Sequence, residues 1–279
     1  MGPTHQSNSG IPDFHSRLGE ETITFVVGEA KKHYHVHTHI VKSGVLGDVC
    51  AALDQSNRSE DIKSIHWKNV DPSVFANLIE YAYTGDYTVP GLEPLDDELF
   101  NEPPSIMESL EDYDWDMDTG GGDEVAFQES RHAIILTAYK GFVERGRELY
   151  PTPSERFRNW EPDLEPSNGD GYLAIFQCHV KLYLLARMHG IGHLKRLCLF
   201  KLFRTLPHLR DYEHAHDDLA IAILHAYGST RKGDALRNLL ASFAALNTGM
   251  MRKARRYADT IRQCPEFAVD MIRQLHSPW

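Results

Sequence analysis

Apolar and polar positions change period several times along the chain, and each change marks an element. Ile23 to Val27 is a short β-branched and aromatic run ending at Gly28, and Tyr34 to His37 is a second extended segment leading into helical spacing. Ile62 to His66 is a third strand candidate. Val70-Asp71-Pro72 follows; proline suits the first helical turn, where its missing N–H would have had no partner. The helix that starts there carries Phe75, Leu78, Ile79 and Ala82 on one face and stops at Thr84-Gly85-Asp86, glycine being the common residue past a helix end. From Val89 to about Gly171 both periods break up among Pro90, Pro94, Pro103, Pro104, Gly120-Gly121-Gly122, Pro151, Pro153, Pro162 and Pro166. Within that stretch only Ala133 to Val143, with Ile134, Ile135, Ala138 and Phe142, suits a short amphipathic helix. Order is expected to return at Tyr172, where Leu173, Phe176, Val180, Tyr183 and Leu184 recur at three- and four-residue spacing. Gly190-Ile191-Gly192 breaks this helix, and Leu194, Cys198, Leu202 and Leu206 form the next stripe, ended by Pro207. Leu219 to Tyr227, Leu236 to Leu246, Met250 to Cys264 and Phe267 to Leu275 complete a run of helices.

The order strand, strand, helix, helix, strand, helix resembles the BTB/POZ domain. The residues that carry the resemblance are Tyr34-x-Val36-His37, Ser43-x-x-Leu46, Val70-Asp71-Pro72-x-x-Phe75 and Tyr81-x-Tyr83-Thr84-Gly85-Asp86-Tyr87. The stretch LYLLARMHGIGHLKRLCLFKL, from Leu182 to Leu202, is similar to the helix-turn-helix that closes the core in fungal members. Leu236-Arg237-x-Leu239-Leu240 and Pro265-Glu266-Phe267-Ala268 resemble the tail of stand-alone fungal BTB proteins. The resemblance implies an α+β fold with a BTB/POZ-like core of short strands capped by helices, a long acidic insertion and extra C-terminal helices. The implied organisation is a flexible arm (1–20), a first half-domain (21–88), an acidic and partly disordered insertion (89–171), closing helices (172–206) and a C-terminal helical extension (207–279). One shared core is expected, with Val36, Leu46, Phe75, Leu78 and Tyr81 packed with Phe176, Val180 and Leu184. Four departures stand out. Glu21-Thr22 replaces the usual Ser-Asp before the first strand, Leu46 replaces a Phe, Arg187 replaces an Asp whose local pairing is then missing, and His189 replaces an aromatic.

What the resemblance implies for function is protein–protein interaction without catalysis: self-association into a homodimer, or docking onto a cullin-type ubiquitin ligase scaffold as a substrate adaptor. It implies no cofactor and no metal. The rival class is a metal-dependent enzyme using scattered His and Asp residues.

Charge sharpens the picture. The net charge is −11, yet Gly91 to Glu129 holds fourteen Asp and Glu and no Lys or Arg, so removing those fourteen leaves about +3. One segment accounts for the acidity. Within it Tyr113, Trp115 and Met117 alternate with Asp112, Asp114, Asp116 and Asp118, a pattern suited to a short protein-binding motif: aromatics fill a pocket while acids steer towards a basic rim. The same acids could instead lie against Arg252, Lys253, Arg255 and Arg256, a cluster otherwise read as a solvated helix face rather than a nucleic-acid contact. No apolar run approaches the ~18 residues of a membrane span. The first residues lack a basic-then-apolar signal pattern, and Cys50, Cys178, Cys198 and Cys264 stand far apart, as reduced thiols of the cytoplasm or nucleus would.

Other constellations read as structural. His33, His35, His37 and His39 alternate, but a strand-to-helix junction at His37 should turn His39 off the shared face, and no carboxylate or cysteine completes a tetrahedron. Asp114-x-Asp116-x-Asp118 has Thr119 and Val125 where a calcium loop needs glycine and glutamate. Cys178 and His179 are helix neighbours and point apart. Asp217 and Asp218 suit the first turn of a helix, where the dipole favours acids.

Overall fold

The computed structural model describes residues 21–42, 46–47, 64–94, 140–164, 170–209 and 213–276. It divides into two compact units, Met1–Tyr87 and Thr88–Trp279. The fold is α+β: mostly helical, with one small three-stranded sheet.

In the first unit, strand β1 (Thr22–Val27) lies between β2 (Lys32–His37) and β3 (Ser64–Trp67). β1 pairs antiparallel with β2, Ile23 opposite Val36, and parallel with β3, Phe25 opposite Ile65. The third strand is described from Ser64, with Ile65 and Trp67 buried; Ile62 and Lys63 of the expected strand lie outside the described residues. A short helix, α1 (Thr38–Lys42), leaves β2 directly. Helix α2 (Pro72–Thr84) is capped at both ends. The Asp71 carboxylate accepts the Ser73 N–H at 2.9 Å, and Gly85, at φ 72°, turns its N–H back onto the Tyr81 carbonyl at 2.7 Å. Only glycine takes that left-handed conformation without a Cβ clash.

The buried face of α2 is Val74, Phe75, Leu78 and Tyr81, whereas the expected Ile79 and Ala82 are half-buried. The face is rotated because Phe75 is the hub. Its ring lies 5.1 Å from Phe25, 4.9 Å from Tyr34 and 5.9 Å from Trp67, tying all three strands to the helix. Burying such a side chain contributes about 1.5–3 kcal/mol.

The second unit starts with a two-residue pairing, β4 (Glu93–Pro94) antiparallel to β5 (Asp170–Gly171), which brings the two ends of the intervening segment together. Within that segment residues 140–164 are structured, although the periodicity is broken over most of this stretch. Helix α3 (residues 140–149) and a 3-10 turn (Glu155–Phe157) pack on the helices that follow. Their anchors are Phe142, which the helix expected over Ala133 to Val143 already carried, and Tyr150, Phe157 and Trp160, which show no helical or strand period. Residues 133–139 of the expected short helix lie outside the described part.

Helices α4 (Leu173–Met188) and α5 (Gly192–Thr205) form an antiparallel hairpin broken at Gly190-Ile191, as the glycines suggest. Phe176, Val180 and Tyr183 are buried and Leu184 half-buried in this unit, while Val36, Leu46, Phe75, Leu78 and Tyr81 are buried in the first. A 3-10 turn containing Pro207 then leads to α6 (Glu213–Ser229) and α7 (Ala235–Leu246). The expected single helix over Met250 to Cys264 is two: α8 (Thr248–Met251) and α9 (Tyr257–Gln263), with a turn between. Arg252, Lys253, Arg255 and Arg256 occupy that turn and are solvent-facing, so they lie on a bend rather than on a helix face. α10 (Pro265–His276) closes the unit, its Phe267 edge-on to Tyr227 at 5.4 Å. No helix among the described residues is long and apolar enough to cross a membrane.

Candidate functional site

In the first unit the sheet face and α2 meet at a phenol–imidazole pair. The His37 backbone N–H donates to the Tyr83 hydroxyl at 2.9 Å, and that hydroxyl is also hydrogen-bonded to His37 Nδ1 at 2.6 Å. His39 stacks beside His37 at 5.8 Å and faces the Tyr83 ring edge-on. Tyr83 remains 43% exposed, so one large aromatic ring is held rigidly at the surface of this unit. Tyr34 is also fixed, its hydroxyl donating to the Pro72 carbonyl at 2.9 Å. His33 and His35 project from the face of β2 opposite Tyr34 and Val36, with His35 bound to Thr24 Oγ1 at 3.1 Å. His39 sits on α1, off that face, as the junction at His37 requires.

In the second unit the buried polar groups act as clamps between helices. Asp217 and Asp218 lie in the second turn of α6, not the first, and serve the N-termini of other helices. The Asp218 carboxylate accepts the Tyr172 N–H at the start of α4 at 2.8 Å, and Asp217 accepts the Arg256 N–H at the start of α9 at 2.9 Å. Burial pushes the Asp218 carboxyl up to about 6, although the Tyr172 and Leu173 N–H groups pull the other way. Asp234 caps α7 through the Leu236 N–H at 3.0 Å, accepts the Tyr183 hydroxyl at 2.7 Å and pairs with Arg187 at 3.0 Å. Arg187 therefore finds a carboxylate from a distant element where the sequence lacks the local one.

Arg237, 8% exposed, is held by the C-terminal end of α6: Nε donates to Thr230 Oγ1 at 2.9 Å, and Nη2 to the Tyr227 carbonyl at 2.6 Å and to the Thr230 carbonyl. A cation against the free carbonyls of a helix end is favourable both as hydrogen bonding and against the helix dipole. His179 is wholly buried and 3.4 Å from Thr205 Oγ1. Burial, helped by the Lys201 charge, lowers its pKa to about 3, so it is neutral at physiological pH. Cys178 and Cys198 are buried and form no disulfide.

A pocket of about 290 Å³ opens between α3, the loop after it and α5, lined by Arg147, Tyr150, Thr152, Arg158, Phe200, Phe203 and Arg204. Its floor is aromatic, with Tyr150 5.6 Å from Phe203. Gly146 lets α3 lie directly against Phe203 of that floor, because a Cβ there would overlap the ring. Arg204 is tied to Glu161, and Arg158 to Glu155 at 2.7 Å. The pocket joins residues more than 40 positions apart in the chain. Arg145-Gly146-Arg147 and Arg156-Phe157-Arg158 were the available signals, hidden in a stretch without period.

The sequence-derived site Tyr113, Trp115 and Met117 lies outside the described residues, as does Asp114-x-Asp116-x-Asp118. Among the described residues no three His, Cys, Asp or Glu side chains converge to hold a metal ion. The chain matches no family model, no curated protein and no solved structure.

Proposed function

We propose that the chain is a non-catalytic protein–protein interaction module of the BTB/POZ kind, acting as a self-associating scaffold or as a ubiquitin-ligase substrate adaptor in the cytoplasm or nucleus. The observation that carries this reading is that residues on which the resemblance rests touch one another. His37 bonds Tyr83 across 46 positions, Tyr34 bonds the Pro72 carbonyl and packs its ring at a tilt on Phe75, and Gly85 closes the helix that Asp71 opens. Residues scattered over fifty positions of sequence thus behave as one constructed motif. The β4–β5 pairing sets Pro94 opposite Asp170, which supports the reading of the acidic stretch as part of a segment whose two ends meet.

The enzyme alternative draws less support. His179, Asp217, Asp218, Asp234 and Asp270, the groups it would need, each hold a hydrogen bond that joins helices or lies in the core.

The test is solution mass by light scattering together with affinity capture from native extract. A dimer, or a cullin-type scaffold among the captured proteins, is the expected result. A monomer that captures nothing, or one that carries stoichiometric Zn²⁺ or Ni²⁺ and turns over a substrate, overturns the reading.

A further inference from the structure

We propose that the arginine-lined pocket of the second unit binds a phosphomonoester carried on an aromatic or other flat apolar stem. Three guanidinium groups, Arg147 from α3, Arg158 from the following loop and Arg204 from α5, border one opening, with the Thr152 hydroxyl beside them. No carboxylate lines this opening among the described residues. Glu155 and Glu161, which pair with Arg158 and Arg204, are not among its lining residues, and Glu161 also lies 3.8 Å from His208 Nε2. Arg147 makes no hydrogen bond or ion pair among the described residues. Its charge faces Arg204 closely enough to favour deprotonation there, second only to the effect of burial. Like charges brought together around a cavity are a cost that a bound anion removes.

The shape selects the anion. Three arginines lining one cavity suit a group with three acceptor oxygens and close to two charges, more than a carboxylate with two oxygens. The floor of Phe200, Phe203 and Tyr150 offers ring faces and edges to whatever carries the anion. Tyr150 adds no negative charge, because burial pushes its hydroxyl further above neutrality and the hydroxyl is directed to the Ala235 carbonyl at 3.4 Å. At about 290 Å³ the cavity sits at the small end of ligand sites, so it takes a single ring with its phosphate and leaves no room for a dinucleotide.

The experiment is calorimetric titration of the full chain with phenyl phosphate, inorganic phosphate and benzoate. Phenyl phosphate should bind about tenfold more tightly than either of the others, since only it supplies both ring and dianion. Arg147→Ala should weaken phenyl phosphate about tenfold, with Arg147→Lys recovering part of the loss. Arg147 is solvent-facing, so its unfolding midpoint should stay that of the wild type, and Arg158→Ala provides a second variant on a different segment. A phosphotyrosine pentapeptide separates the sources of the group. Binding tighter than phenyl phosphate assigns a phosphorylated side chain, and weaker binding assigns a small molecule. Equal binding of all three anions, or affinity untouched by both arginine variants, overturns the proposal.

Discussion

His179 and Asp218 carry opposite pH dependences, and each can be isolated. The buried His179 stays neutral in the fold down to about pH 3, whereas an unfolded imidazole protonates below about 6.5. Its folded pKa is depressed, so its contribution is intact above pH 6.5 and lost as pH falls, at up to roughly 1.4 kcal/mol per pH unit. Urea unfolding of His179→Leu at pH 7 and pH 5 should show a smaller drop between the two than the wild type. Asp218 runs the other way. Its folded pKa, about 6, exceeds the ordinary 3.8, so its stabilisation is complete below pH 3.8 and disappears as pH rises through 6. Asp218→Asn, which can still accept the Tyr172 N–H, should therefore gain on the wild type as pH rises from 4 to 7 in the same measurement. Arg237→Ala should cost about 3 kcal/mol, because it strands two buried carbonyls that the guanidinium now satisfies. Chemical denaturation at neutral pH measures this directly. The sequence marked Arg237 only as part of a motif; its role depends on where the end of α6 lies.

Among the elements, α2 shows what local chemistry can do. Asp71, Pro72 and Gly85 set its start and stop, and the Pro72 and Gly85 signals are visible in the chain. Asp71→Ala and Gly85→Ala should each cost about 1 kcal/mol, read as faster amide exchange over residues 72–84. α3 shows the reverse. Its docking depends on Gly146 lying against Phe203, a contact between residues 57 positions apart that no period announces. Gly146→Ala should cost about 1–3 kcal/mol by overpacking, although alanine is the better helix former. A stabilising effect in thermal unfolding would show that α3 does not rest on α5. The Met250 to Cys264 stretch, read as one helix, breaks at the basic turn because Arg256 there gives its N–H to Asp217 of α6.

For the whole molecule, charge is concentrated rather than spread, with fourteen acids in Gly91 to Glu129 against a net of −11. If that segment carries a partner motif, Trp115→Ala should weaken partner capture far more than Asp116→Asn, since buried aromatics dominate such interfaces while exposed charges mainly set the encounter rate. Capture that both variants leave unchanged would assign partner binding to the compact units instead.

The apolar periods by themselves determined the first two strands, α2, the α4–α5 hairpin, α6, α7 and α10, because burial of one face imposes a repeat that the chain must display. The helix start at Pro72 and stop at Gly85 were equally legible, since such signals act on neighbours a few residues away, whereas the Asp71 cap was seen only in the structure. Tertiary structure alone decided the turn of α2 towards Phe75, the packing of residues 140–164 on the helices that follow, and the partners of Arg187, Asp217, Asp218 and Arg237. It also decided that Arg147, Arg158 and Arg204 border one pocket. These are single contacts between distant residues. Each needs only one side chain of the right kind at one place, so it leaves no repeat in the sequence to be read.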